Sequence, residues 1–132
     1  LTYDMNAQVT LEDLFSQSDF VTLHVPLTNE TRGMVNLDLL STMKKTAYLI
    51  NCARGPIVNS AALKQALEQQ LIAGAALDVF DIEPPLPTDY SLFDAPNLIA
   101  TPHIGFNTKE ALRTKGELTI KNIKEFLKTE GL

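Results

Sequence analysis

Cysteine is almost missing from this chain. Cys52 stands alone among 132 residues, so no intramolecular disulfide can form. That usage fits a reducing compartment, and a cytoplasmic location is the expectation. Histidine is nearly as scarce. His24 and His103 are far apart in sequence and have no Cys or His companions at metal-ligand spacing, so no metal centre is expected. Cations are outnumbered: 11 Lys and Arg face 16 Asp and Glu, for a net charge of −5. They form no basic cluster, which argues against a nucleic-acid partner, since phosphate backbones are bound by grouped Lys and Arg. Long apolar runs are missing as well. None approaches the roughly 20 residues that a membrane-spanning helix needs, and no basic segment leads into an apolar one near the N-terminus. No membrane partner is expected.

What is present is ordinary for a globular protein. Hydrophobic residues make up 45% and charged residues 20%, and the length allows one modest domain with its own core. Leu1 is not a methionine, and the chain opens directly into Thr2-Tyr3-Asp4. A piece of a longer molecule is therefore expected.

Helical and extended patterns alternate along the chain. Thr10 is placed to cap a helix over Leu11–Gln17, with Asp13 completing a capping-box variant. The run 20–25 is β-rich and stops at Pro26. Asn36 can cap a helix to about Met43. The run 47–50 is mostly apolar and suits a strand covered on both faces. Asn59 or Ser60 then caps a helix over 61–70, whose Leu63, Ala66 and Leu67 share one face. The stretch 73–80 contains Gly74, Ala75 and Ala76, small residues suited to tight packing. The Pro- and Asp-rich 81–97 reads as a loop, and 98–101 as the last strand. From Asn107 onward one long amphipathic helix is expected, with Leu112, Ile120, Ile123 and Leu127 in its apolar stripe and Gly131 at its end. Strands separated by helices of this length favour a parallel sheet. Ligands of such sheets bind beyond the carboxyl ends of the strands. His24-Val25-Pro26, Asn51 to Arg54, Asp78 to Glu83 and His103 each follow a different strand of that set.

Several of these residues can do chemistry. Arg54, after an apolar strand and before Gly55-Pro56, presents a planar fork suited to a carboxylate. Read singly, it is as readily a solvated surface residue. Glu83 precedes Pro84-Pro85 and, alone, is an exposed loop carboxylate. His103 sits in Thr101-Pro102-His103-Ile104-Gly105. Taken with Glu83 it acquires a counter-charge that favours the imidazolium, which suits proton transfer near neutral pH. Asp78 either caps a turn or faces a ligand. Cys52 reads as a small buried thiol, because no Cys–His pairing motif surrounds it.

The strings Ser18-Asp19-Phe20-Val21-Thr22-Leu23-His24-Val25-Pro26-Leu27-Thr28, Leu49-Ile50-Asn51-Cys52-Ala53-Arg54-Gly55-Pro56-Ile57-Val58, Gly74-Ala75-Ala76-Leu77-Asp78-Val79-Phe80 with Glu83-Pro84, and Thr101-Pro102-His103-Ile104-Gly105 occur in this order. Together they resemble the D-isomer-specific 2-hydroxyacid dehydrogenases over nearly the whole chain. The resemblance implies an α/β fold, the C-terminal portion of a Rossmann-like parallel sheet with flanking helices, ending in a long helix. Residues 1–106 would belong to the dinucleotide-binding domain, and 107–132 would form a helix crossing toward a substrate domain.

It also implies an oxidoreductase moving a hydride between NAD, or NADP, and C2 of a small 2-hydroxy or 2-keto acid. Arg54 would hold the substrate, His103 would be the acid/base, and Glu83 its charged partner. His24, Val25 and Pro26 would line the adenosine side. Cys52, Ala53, Arg54, Asp78, His103 and Gly105 would contact the nicotinamide end. A homodimer is implied for the full-length protein. The family's glycine-rich loop, and the acidic residue that selects NAD over NADP, would both lie before Leu1. Phe106 stands where many members have a small residue. Glu83 differs from the Gln of the formate dehydrogenases. The short stretch from Glu83 to His103 is closer to the glycerate, hydroxypyruvate and phosphoglycerate branches. Two other readings stay open: an NAD(H)-sensing protein of the corepressor type, and an inactive half-domain.

Overall fold

Side-chain oxygens decide where the helices begin. In the computed structural model, which describes residues 9–82 and 90–130, helix α1 (Leu11–Gln17) opens on a reciprocal capping box. The Thr10 hydroxyl accepts from the Asp13 N–H at 3.0 Å, and the Asp13 carboxylate accepts from the Thr10 N–H at 3.3 Å. Asn36 accepts from Leu39 N–H at the start of α2 (Leu37–Thr42). Asn59, rather than Ser60, accepts from Ala62 N–H and starts α3 (Ser60–Glu68). Thr108 accepts from Ala111 N–H and starts α4 (Lys109–Thr129). Each such cap is worth about 1 kcal/mol.

The end of α3 is less usual. Leu71 N–H donates to Ala66 C=O and Gln70 N–H to Leu67 C=O, the paired bonds of a Schellman motif. The left-handed position of that motif, normally a glycine, is held by Gln70 at φ +54°.

The strands are β1 (Phe20–Leu23), β2 (Tyr48–Asn51), β3 (Gly74–Leu77) and β4 (Leu98–Ala100). They form one sheet in the order β1-β2-β3-β4, with every neighbouring pair parallel. β1, β3 and β4 are shorter than the sequence runs that announce them, and β2 begins and ends one residue later than its run. Leu23 pairs with Asn51 and Asn51 with Leu77, so all three strands stop at one level. His24, Val25, Asp78, Val79 and Phe80 lie past that level, where the chain leaves the sheet.

Alternation places Val21, Leu23, Leu49, Ala75 and Leu77 on the face covered by the helices. They share one core with Phe15, Leu39, Leu40, Leu63 and Leu67. The expectation that β2 is covered on both faces is not met among the described residues of its own unit. Tyr48 is 44% exposed, its stacked neighbour Phe20 67%, and Ile99 in β4 68%. The three helices of the first unit lie on the opposite face.

Between β3 and β4 the expected loop contains a 3₁₀ helix, Ser91–Asp94. Leu92 is buried there, while Phe80, Tyr90 and Phe93 meet edge to face with ring centroids 5.2–6.0 Å apart. Glu83, Pro84 and Pro85, and the expected helix stop Gly131, lie outside the described residues.

The chain divides into two compact units, residues 1–102 and 103–132, each described by itself. In the second, α4 is exposed along its whole length, including Leu112, Ile120, Ile123 and Leu127 of its apolar stripe. Among the described residues, no helix is long and apolar enough to cross a membrane.

Candidate functional site at the carboxyl edge of the sheet

Where β1 and β2 end together, their outgoing segments enclose a cleft of about 570 Å³ lined by His24, Val25, Pro26, Leu27, Cys52, Ala53 and Arg54. That volume is in the range of small-molecule sites. The structure therefore brings together six of the residues singled out in the sequence and adds Leu27. His24 is oriented by Thr22, whose hydroxyl lies 2.9 Å from Nε2. Cys52 is exposed, not buried as expected, because it follows the last paired residue of β2 and turns outward with the chain.

The turn that carries Arg54 is fixed from two sides. Asn51, 1% exposed, accepts from Ala53 N–H through Oδ1 at 3.0 Å and donates from Nδ2 to Arg54 C=O at 3.0 Å. Behind Arg54, Gly55 is pressed against the exit of β3. A Cβ there would lie 1.8 Å from the carbonyl carbon and oxygen of Phe80. The exposed Arg54 guanidinium donates from Nη1 to Ala53 C=O at 2.6 Å.

Asp78 does not line the cleft. It is 7% exposed, its N–H donates to Asn51 C=O at 3.0 Å, and its carboxylate accepts from the Thr101 hydroxyl at 2.5 Å. It thus ties the exit of β3 to the exits of β2 and β4. Asp81, beyond Phe80, receives a short hydrogen bond from the Tyr90 hydroxyl, which also lies 3.0 Å from Ser60 Oγ at the start of α3. Burial and the bond to Asp81 push the Tyr90 phenol up to about 12, against a smaller opposing effect of Ser60.

In the second unit, His103 is half-buried and adopts φ +55°, a left-handed conformation uncommon for a non-glycine residue. Its ring meets Phe106 edge to face, with centroids 6.2 Å apart. Gly105 is exposed beside it. Glu83 lies outside the described residues. Among the described residues there is no group of His, Cys, Asp or Glu that could hold a metal ion.

Asn51, Tyr90 and the Thr101–Asp78 pair escape a reading of the sequence alone. Only Asn51 left a signal, as an amide closing a run of apolar strand residues.

A cleft at the carboxyl edge of a parallel α/β sheet is the ligand position of nucleotide-binding domains. The residues present fit one part of such a ligand. Half-buried Val25 and Leu27 and the small Ala53 offer apolar walls, while His24 and Arg54 offer polar groups. The chain belongs to the D-isomer-specific 2-hydroxyacid dehydrogenases: residues 2–105 match that family's NAD-binding domain.

It is 49% identical over 120 residues to the glyoxylate reductase of Thermofilum pendens, a match covering 91% of this chain and 35% of that protein. It is 46% identical over 119 residues to the D-3-phosphoglycerate dehydrogenase of Bacillus subtilis, covering 90% and 22%. Among solved structures, it resembles the NAD-complexed D-isomer-specific 2-hydroxyacid dehydrogenase of Lactobacillus delbrueckii. There the TM-score is 0.84 at 31% identity, covering 98% of this chain and 45% of that one. The chain thus spans less than half the length of each of these proteins.

Proposed function

We propose that this chain supplies the substrate anchor, the proton carrier and part of the cofactor cleft of a D-2-hydroxyacid dehydrogenase. The observation that carries this reading is the cleft itself. Seven residues drawn from two separate strings line one cavity at the carboxyl edge of the sheet, in a chain that matches the family's NAD-binding domain. The bound nicotinamide, of NAD or of NADP, supplies the hydride chemistry at C2 of a small 2-keto or 2-hydroxy acid. His24, Val25 and Pro26 would line the adenosine side. Cys52 and Ala53, with Asp78 and Gly105, would belong to the nicotinamide end.

Arg54 has five N–H donors, of which one is used on Ala53 C=O. Among the described residues the others meet no acceptor and are available to a carboxylate. His103 would exchange a proton with the substrate oxygen, and Glu83 would be its counter-charge. The second unit would be the helix that leads to a substrate domain, and a homodimer is the assembly we propose for the complete enzyme. The similarity to a glyoxylate reductase and a phosphoglycerate dehydrogenase favours short, polar 2-keto acids.

The test is a pair of substitutions in the complete enzyme. His103→Gln should mainly lower kcat, by roughly 10²–10⁴-fold, because proton transfer belongs to the transition state. Arg54→Gln should also raise KM strongly, because its charge meets the carboxylate in the ground state. Wild-type KM in Arg54→Gln would remove it as the anchor, and wild-type kcat in His103→Gln would remove the proton carrier.

A further inference from the structure

Two polar side chains are buried among the described residues, Asn51 and Asp78, and both stand where strands leave the sheet beside the cleft. Polar groups are buried at a cost unless hydrogen-bonded, so their presence in a core needs a reason. For Asn51 the reason is visible. Its amide closes a ring around the segment Cys52–Arg54, accepting from the N–H before Arg54 and donating to the carbonyl of Arg54 itself. Both functions are needed at once and on two separate atoms, and a carboxamide is the short side chain that carries its donor and its acceptor apart, where a hydroxyl has both on one oxygen nearer the backbone. The backbone of Asn51 is committed too: its C=O accepts from Asp78 N–H. Gly55 closes the other side, with no room for a Cβ against Phe80.

We infer that Asn51 is the positioning residue for Arg54, holding the backbone on either side of it so that the guanidinium stays aimed from the cleft wall. The inference rests on the reading of Arg54 as substrate anchor. It predicts an effect on keto-acid recognition and none on proton transfer. The Arg54 guanidinium is exposed and, among the described residues, makes one hydrogen bond, to its own neighbour's carbonyl. Its aim therefore depends on the turn beneath it.

Three variants of the complete enzyme test this. Asn51→Asp keeps the shape and removes the donor to Arg54 C=O. Asn51→Ser, which buries no charge, is the alternative should Asn51→Asp fold poorly. Arg54→Gln serves as the background. In the wild-type background, either Asn51 variant should raise KM for the keto acid on the order of 10- to 100-fold. The pH profile of kcat should stay in place, and the affinity for NADH, which would meet Cys52 and Ala53 of the same turn, should fall much less than that for the keto acid. In the Arg54→Gln background, the same Asn51 change should add little, because the group it positions is already gone. Equal losses in both backgrounds would overturn the proposal, as would a fall in melting temperature with KM unchanged.

Hydrogen exchange separates this from the reading beneath it. The turn 52–55 should exchange faster in Asn51→Ser while α3 stays protected. An unchanged turn would reject Asn51 as its clamp whatever Arg54 does. If Arg54→Gln leaves KM at wild type while the turn loosens as expected, the anchor role is what fails.

Discussion

Tyr90 shows how one side chain can tie together segments that the sequence keeps apart. Its hydroxyl reaches Asp81 after β3 and Ser60 at the start of α3, and its ring packs against Phe80 and Phe93. The phenol is held up to about 12 in the folded protein, against 10.0 for an ordinary tyrosine. A raised value means that the folded state keeps a proton which the unfolded chain has already lost. The associated stability is fully present below about pH 10 and is lost as the pH climbs toward about 12. Urea titrations of wild type and Tyr90→Phe should show wild type more stable at neutral pH, with the gap narrowing across that alkaline window. A gap that stays constant between those limits would mean that burial and the Asp81 bond do not hold the phenol up in the folded protein. Arg54 and His103 are separated by a different measurement, the split between KM and kcat described above.

The elements divide into those decided locally and those decided by a partner. Helix starts could be read closely from the sequence, because a cap is a matter of a few residues: Thr10 with Asp13 and Asn36 stand out, Asn59 is one of two candidates, and Thr108 lies one residue past the Asn107 start expected for α4. Strand ends could not be read so well. His24 and Val25 continue the β-rich run of β1, but β2 ends opposite Leu23, and a strand without a neighbour is not a strand. The 3₁₀ turn at Ser91–Asp94 was hidden in a Pro- and Asp-rich stretch because burial of Leu92 and an aromatic cluster hold it. In the site, the cleft residues were legible because they cluster in strings directly after strands. Asn51 stood in such a string without a role of its own, since the apolar run it closes marks a strand end and does not reveal the bonds its buried amide makes.

One element carries a correctable strain. Gln70 occupies the left-handed position of the α3 Schellman motif, where a residue with a Cβ costs roughly 1–2 kcal/mol. Gln70→Gly should stabilise the protein, by roughly 0.5–1 kcal/mol once the greater freedom of glycine in the unfolded chain is subtracted. Chemical denaturation would read this directly, and a loss of stability would show that the Gln70 side chain makes a contribution the geometry does not reveal.

For the whole molecule, the test concerns the cofactor. Dinucleotide phosphates are usually met by a helix N-terminus behind a glycine-rich turn. The described helices begin instead at Thr10, Asn36, Asn59 and Thr108. Calorimetry of the 132-residue chain with NADH should therefore detect weak binding at most, and no dehydrogenase turnover should accompany it. Tight binding would show that the cleft at the ends of β1 and β2 suffices without a phosphate cradle.

The uncovered sheet face bears on how the strands choose their register. In a sheet with one apolar and one polar face, a slip of one residue turns the core set outward and is strongly penalised. Here Phe20, Tyr48, Ile50 and Ile99 make the second face apolar as well, so polarity alone polices a slip poorly. Shape takes over that task. Gly74 sits opposite Tyr48, where an added Cβ would lie 2.8 Å from the Asn97 carbonyl and 3.0 Å from the Tyr48 ring. Any slip replaces that glycine with Ala73 or Ala75 and meets the clash. Asn51 acts as a second key, because a one-residue slip of β2 would turn its buried amide to the open face and break the bond from Asp78 N–H to its carbonyl. The register of this sheet is thus proofread by one missing side chain and one buried amide.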